Sequence, residues 1–283
     1  MSLKIKKFWK TQYKIQKPPK KIRQIIFIHS NEFYKVNKEK QFIYEIIKNL
    51  YKGDIYIIKE VLKLKYIKNL KKKLIDLSNK SPSSFYKMIG KCPNFWRKID
   101  EKNNFKYSIK SNRLAFNFFR WNNDKLKIFK NIDKLWSLIK IISGKKSNEY
   151  KFNLPKHGKV DRVQITKYQK NTGYIEPHNH AYDPDNLTLP ISIYLSELNL
   201  DYSSGGTYFY DRNNNKVNIE TYIKRGDSGI FFPTLIHGVD AVTVSKNITK
   251  IKDSDKSRWW LGPYSPDSDE NKNRKTSKRI KLK

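Results

Sequence analysis

Cysteine is almost absent: Cys92 stands alone in 283 residues. That excludes an internal disulfide and any cysteine-based zinc site, and it fits a reducing, cytoplasmic setting. Long apolar runs are also missing. None approaches the ~18 residues a bilayer requires, so no membrane span is expected. The first residues are basic, but no apolar segment follows them, so no secretory signal is expected. Acids are scarce. Only 26 Asp and Glu face 60 Lys and Arg, a formal net charge of +34. Such an excess suggests a polyanionic partner, such as nucleic acid or a membrane surface. Its make-up points elsewhere. Lys outnumbers Arg 50 to 10, and Asn, Ile, Tyr and Phe are abundant alongside it. That is the output of an AT-rich coding bias. Phosphate readers favour the planar fork of Arg, and here the excess is spread along the whole chain.

What is present is enough for a core: 37% of residues are hydrophobic and 14% aromatic. Residues 1–23 carry nine basic residues and no acid, and Pro18-Pro19 would break a helix, so this stretch reads as a flexible basic arm. Ile25-Ile26-Phe27-Ile28 reads as a first strand, with His29 structural at its end. From about Lys38 to Leu77 the apolar spacing is helical, interrupted at Gly53-Asp54. Leu114 to Phe119 reads as a strand. Asp124 is the natural N-cap of a third long helix that Gly144 ends. After Gly158 the period changes to short apolar or alternating runs divided by turn residues, the pattern of a sandwich or barrel. Residues 267–283, rich in Lys and Arg, read as a disordered basic tail.

Chemistry concentrates in the second half. Three of the five histidines lie in Gly173-Tyr174-Ile175-Glu176-Pro177-His178-Asn179-His180 and in Gly226 to His237. On a strand, His178 and His180 share one face. His237, arriving from a later strand, would complete a three-point cap on a metal ion and leave its other positions open. Asp183 and Asp185, beside Pro184, read as turn formers. Either is also an alternative anionic ligand in place of His180.

The ordered set Val163 to Tyr168, Tyr174 to His180, Ile191 to Glu197, Gly205-Gly206, Gly226-Asp227, His237 and Arg258-Trp259 resembles the iron(II)/2-oxoglutarate-dependent oxygenases, especially the prolyl-hydroxylase-like branch. The resemblance covers about Val160 to Tyr264. It implies an α+β protein in which a double-stranded β-helix, a jelly-roll or cupin-like barrel, occupies 151–266. Residues 24–150 would be a supporting helical region against its outside. It places the metal ligands at His178 and His237, the anchor for the far carboxylate of 2-oxoglutarate at Arg258, and a cosubstrate contact at Tyr168. Gly205-Gly206 would be a tight turn, and Ile193, Phe209 and Phe231 apolar walls. The position that carries a carboxylate in the family is His180 here, giving three imidazoles; a degenerate, inactive site is a further reading. The cofactors implied are Fe(II), 2-oxoglutarate and O2, with ascorbate as an accessory reductant, and the substrate a small molecule or a peptidyl side chain. Two rivals remain open: a cupin-type three-His dioxygenase that uses no 2-oxoglutarate, and a non-catalytic, basic nucleic-acid-binding protein.

Overall fold

The computed structural model describes residues 2–35, 39–245 and 256–280. Five α-helices appear: α1 (Ser2–Ile15), α2 (Ser30–Phe33), α3 (Lys40–Lys52), α4 (Leu64–Lys80) and α5 (Ile128–Ile142). The strands are β1 (Ile25–His29), β2 (Ile55–Lys59), β3 (Phe95–Ile99), β4 (Ser111–Phe119), β5 (Arg162–Gln169), β6 (Tyr174–Asn179) and β7 (Ile191–Tyr194). They continue with β8 (Ser204–Tyr210), β9 (Lys216–Asn218), β10 (Ser228–Ile230), β11 (His237–Thr243), β12 (Ser257–Tyr264) and β13 (Lys278–Arg279).

Two sheets make the barrel. The larger runs β1-β2-β10-β7-β12-β5-β4, with β3 on the far side of β4; the smaller runs β6-β11-β8-β9. β4 belongs to both. Ser111 and Asn112 pair with β6, whereas Leu114 to Phe119 pair with β5. Strand alternation then sorts the side chains of the larger sheet. Val163, Ile165, Ile193, Trp259 and Leu261 join the core shared with α1, α3, α4 and α5. Arg162, Gln164, Thr166, Tyr168, Tyr194 and Arg258 alternate with them and face the barrel interior. Ile193 is therefore not a wall of the site, because the register that turns Tyr194 inward turns Ile193 toward the helices.

The helices form for the reasons the spacing predicts. In α5, Ile128, Ile132, Leu135, Trp136 and Ile139 make one buried stripe. The N-cap position is Lys127 and not Asp124, yet the Asp124 carboxylate reaches forward to accept from the first-turn amides of Ile128 (2.7 Å) and Phe129 (2.9 Å), groups that no intrahelical carbonyl can satisfy. His29 is structural as expected: its Nδ1 accepts from the Asn31 amide at the start of α2. Three expectations fail. The helical run after Lys38 is split by β2, whose Ile55, Tyr56, Ile57 and Ile58 are all buried between β1 and β10. A four-residue run buried on both faces has no period to read. Residues 1–23 are no loose arm over 2–23. α1 buries Ile5 and Trp9, and the Trp9 indole donates to the Ile142 carbonyl at 2.7 Å. Burying a Trp is worth about 3 kcal/mol, which outweighs ordering a few lysines. The tail is likewise docked over 267–280. Asp267 and Ser268 are buried, β13 pairs with β6, and the Ile280 amide donates to Pro177. Residues 281–283 lie outside the described residues, as do 246–255 in the sequence between β11 and β12.

Gly226-Asp227, one of the ordered motifs, directly precedes β10 and is a structural joint. Gly226 has φ +93° and lies so close to the Leu62 carbonyl that a Cβ would stand 2.4 Å from it. The buried Asp227 carboxylate accepts from Lys59 Nζ (2.9 Å) and from the amides of Glu60 and Lys224. It ties β2 to the barrel. Among the described residues, no helix is long and apolar enough to cross a membrane.

Candidate metal centre and its cavity

β6 ends at Asn179, so His178 lies on the strand and His180 just beyond it; β11 opens with His237, directly opposite His178 in the antiparallel register. The expected convergence occurs. The ring centroids are 4.4 Å apart for His178–His237, 5.0 Å for His180–His237 and 5.7 Å for His178–His180. One ring nitrogen from each lies within 4.8 Å of the other two. Among the described residues this is the one group of three or more His, Cys, Asp or Glu that could hold an ion.

Two of the rings are held ready. His178 Nδ1 is 2.8 Å from the Glu176 carbonyl, and His237 Nδ1 is 2.9 Å from the Leu235 carbonyl. A carbonyl can only accept, so each Nδ1 carries the proton and each Nε2 keeps its lone pair free. His180 is positioned by packing instead, against His237, Phe231 (5.9 Å) and Tyr264 (6.2 Å). Phe209 stacks on His237 at 5.4 Å, and Phe231 meets it edge-on at 4.9 Å. Burial lowers the basicity of all three. His180 is pushed down to about 3, with His237 adding to the effect, and His237 to about 4; His178 is held well below its ordinary value by burial and by the other two rings. All three are neutral at pH 7 and donate lone pairs without first losing a proton.

Asp183 is not brought to this point. Its carboxylate accepts from Lys275 Nζ (2.9 Å) and from the Asp185 amide, and Asp185 pairs with Lys10 at 2.6 Å. Both are turn residues, as their place beside Pro184 suggests. The neutral three-imidazole face is what remains. It suits iron, copper, nickel or zinc, since each accepts imidazole.

Arg258 lies on β12 opposite Tyr168, inside the barrel and buried. Its guanidinium sits 5.0 Å from the Tyr168 ring and bonds Thr207 Oγ1. Thr207 is two residues along β8 from Phe209, the partner of His237, so the guanidinium contacts the interior about 7 Å along that strand from the histidine row. What the sequence did not reveal is Glu220. Its carboxylate takes Arg258 Nε (2.8 Å) and Nη2 (2.7 Å), the Thr207 amide (2.7 Å) and the Tyr202 hydroxyl. Burial works against the charge on Arg258, and Glu220 more than offsets it, so the pKa ends above the ordinary value. Gly206 makes the room. It has φ +97°, and a Cβ there would stand 2.4 Å from Glu220 Cγ. Gly205-Gly206 is thus part of β8 and not a turn. Arg258 Nη1 is left buried without a partner. A buried donor held in this way fits one carboxylate oxygen of a cosubstrate.

Two of the three histidines, His178 and His180, open onto a cavity of about 780 Å³. That volume suits a small molecule or a side chain. His178 and His180 line it, with Arg97, Arg113, Arg162 and Tyr264, and the docked tail supplies Arg274 and Lys275.

No family model matches the sequence, and no curated protein matches it. Solved structures do. A full-length Neurospora crassa protein, solved in complex with alpha-KG, superposes with a TM-score of 0.50 over 86% of this chain and 85% of that one, at 9% identity. The fold is that of the 2-oxoglutarate- and iron(II)-dependent oxygenases. A Trichoplax adhaerens prolyl hydroxylase, solved with a hypoxia inducible factor peptide fragment, aligns over 84% of this chain and 93% of its own, with TM-score 0.47 and 13% identity. A Pseudomonas putida prolyl-4-hydroxylase aligns over 75% and 91%, with TM-score 0.44 and 9% identity. This oxygenase fold is the double-stranded β-helix that the order of motifs implies.

Proposed function

We propose that the protein is an iron(II)/2-oxoglutarate-dependent dioxygenase that hydroxylates or otherwise oxidises a small molecule or a peptidyl side chain. The observation that carries this reading is the meeting of three neutral imidazoles, His178, His180 and His237, two of which line a roomy cavity. In such a site an iron(II) ion supplies O2 activation coupled to oxidative decarboxylation of 2-oxoglutarate to succinate and CO2. The chain's own residues do the rest. Glu176 and Leu235 carbonyls fix two imidazoles, and Phe209 and Phe231 exclude water from their apolar side. Arg258 Nη1 offers a hydrogen bond to the far carboxylate of the cosubstrate, with Tyr168 supporting the guanidinium from below.

The test combines metal analysis with succinate release dependent on 2-oxoglutarate, with ascorbate present as reductant. His178→Ala is expected to lose both. His180→Ala should weaken metal binding at least tenfold, and His180→Asp should restore it, because a carboxylate can occupy the same corner. Retention of full metal affinity in His180→Ala would return that position to a packing role. One observation favours a second reading: Glu220 already matches the charge of Arg258. A three-His dioxygenase that uses no 2-oxoglutarate needs no such anchor. It predicts a metal-loaded protein with no succinate release.

A further inference from the structure

Arg97, Arg113 and Arg162 come from three strands, β3, β4 and β5, and line the same cavity as His178 and His180. Six of the ten arginines, Arg23, Arg120, Arg225, Arg258, Arg274 and Arg279, pair with a carboxylate. Arg212 sits on an exposed turn. The remaining three have no acidic partner among the described residues, and each leaves a buried Nε without a hydrogen bond. Among the described residues, their hydrogen bonds and ring contacts are weak or neutral. Arg162 reaches Gln164 Oε1 at 3.5 Å and lies 5.8 Å from the Tyr264 ring; Arg97 meets the Tyr107 hydroxyl at 3.3 Å and sits between the rings of Phe85 (5.1 Å) and Tyr107 (5.0 Å). Tyr264 in turn touches His180, so the cluster adjoins the metal centre.

The acids that line the cavity are engaged elsewhere. Asp183 holds Lys275, Asp267 holds Lys159, and Asp269 holds Arg274 and the Met88 amide. The uncompensated positive charge is a local property of this wall. Three like charges brought together in a half-buried cavity repel one another, and burial adds to the cost. Burial and then the neighbouring Arg97 push Arg162 down to about 10, and burial lowers Arg97 too. A fold keeps such a cluster when something else supplies the counter-charge.

We propose that Arg97, Arg113 and Arg162 form an anion-docking wall that seats a carboxylate or phosphate group of the primary substrate, with Phe85 and Tyr107 flanking it, beside the three-histidine centre. The inference deepens the dioxygenase reading and rests on it for the word substrate; anion binding itself does not depend on that reading. Guanidinium forks grip either anion bidentately. The aromatic rings suit an anion carried on a flat or apolar body.

The test is calorimetric titration of the zinc-loaded full chain with phenyl phosphate and, separately, benzoate, which tells phosphate from carboxylate. 2-Oxoglutarate is titrated in parallel. At least one of the two aromatic anions should bind wild type, and Arg97→Gln/Arg113→Gln/Arg162→Gln should weaken it at least tenfold while leaving 2-oxoglutarate affinity within about threefold. A melting temperature equal to or above wild type shows that the triple variant is folded, since it removes repulsion. The proposal is overturned if neither aromatic anion binds wild type, or if the triple variant binds it unchanged. It is also overturned if the triple variant loses 2-oxoglutarate while that ligand competes with the aromatic anion, because the wall would then be the cosubstrate's seat. Arginine-dependent anion binding in a protein that ignores 2-oxoglutarate supports the docking wall and removes the cosubstrate reading alone.

Discussion

The barrel carries two sets of arginine, one buried in its interior and one half-buried at its mouth, and they are built in opposite ways. At Arg258 every feature closes the charge: Glu220 on two nitrogens, Thr207 on one of them, the Tyr168 face beneath, and Gly206 clearing space for the carboxylate. A single nitrogen, Nη1, remains free. At Arg97, Arg113 and Arg162 no carboxylate answers, and the nearest groups are a phenol, an amide and aromatic rings. The first arrangement compensates its own charge whether or not a ligand binds. The second is a standing cost that only a ligand removes. Charge withdrawn from water is thus informative about function when it is unpaired; when it is paired, the cost appears only if one partner is removed.

The largest expected effect lies at the closed end. Arg258→Gln leaves Glu220 buried without its cation, and removing one partner of such a pair costs about 3–5 kcal/mol. The expected result is a fall of that size in unfolding free energy by denaturant titration, with much of it recovered in Arg258→Gln/Glu220→Gln. An unchanged midpoint in the single variant would mean the two sets of arginine are not different in kind. Next comes the metal centre. His237→Ala should lose at least tenfold in metal affinity by competition with a chelating dye, while the metal-free protein should lose only the packing of one ring between Phe209 and Phe231, about 1–3 kcal/mol. If the metal-free variant instead loses far more than that, the imidazole cluster is chiefly structural.

Much of this was legible from the sequence, for identifiable reasons. His178 and His180 share a strand face by period alone, and His237 follows from the order of motifs. α5 is plain from its stripe and from Asp124. Three things were not legible. Glu220 is 38 residues from Arg258 and meets it only because the turn after β9 folds back on Thr207 of β8, beside Arg258 of β12. The arginines of the mouth are single residues on β3, β4 and β5; only their parity, with Arg162 in phase with Gln164, Thr166 and Tyr168, hinted at a common side. The ends of the chain misled because lysine content suggests solvent. Trp9 in α1 and the pairing of Arg279 with His178 in β13 depend on surfaces that exist only after folding.

The smallest effects are expected at the mouth, and they sharpen the contrast most. Arg162→Gln removes a charge with no acidic partner and relieves its repulsion with Arg97, so the metal-free protein should keep its unfolding free energy to within about 0.5 kcal/mol or gain. Asp183→Ala opens an exposed pair with Lys275, worth about 0–1 kcal/mol, and should leave metal affinity unchanged because its carboxylate lies outside the histidine group. Both substitutions touch the cavity wall, yet they differ in sign: freeing Lys275 adds positive charge beside the docking wall, and neutralising Arg162 removes it. Phenyl phosphate affinity should therefore rise slightly in Asp183→Ala and fall in Arg162→Gln. A fall in both would show that the wall reads shape and not charge.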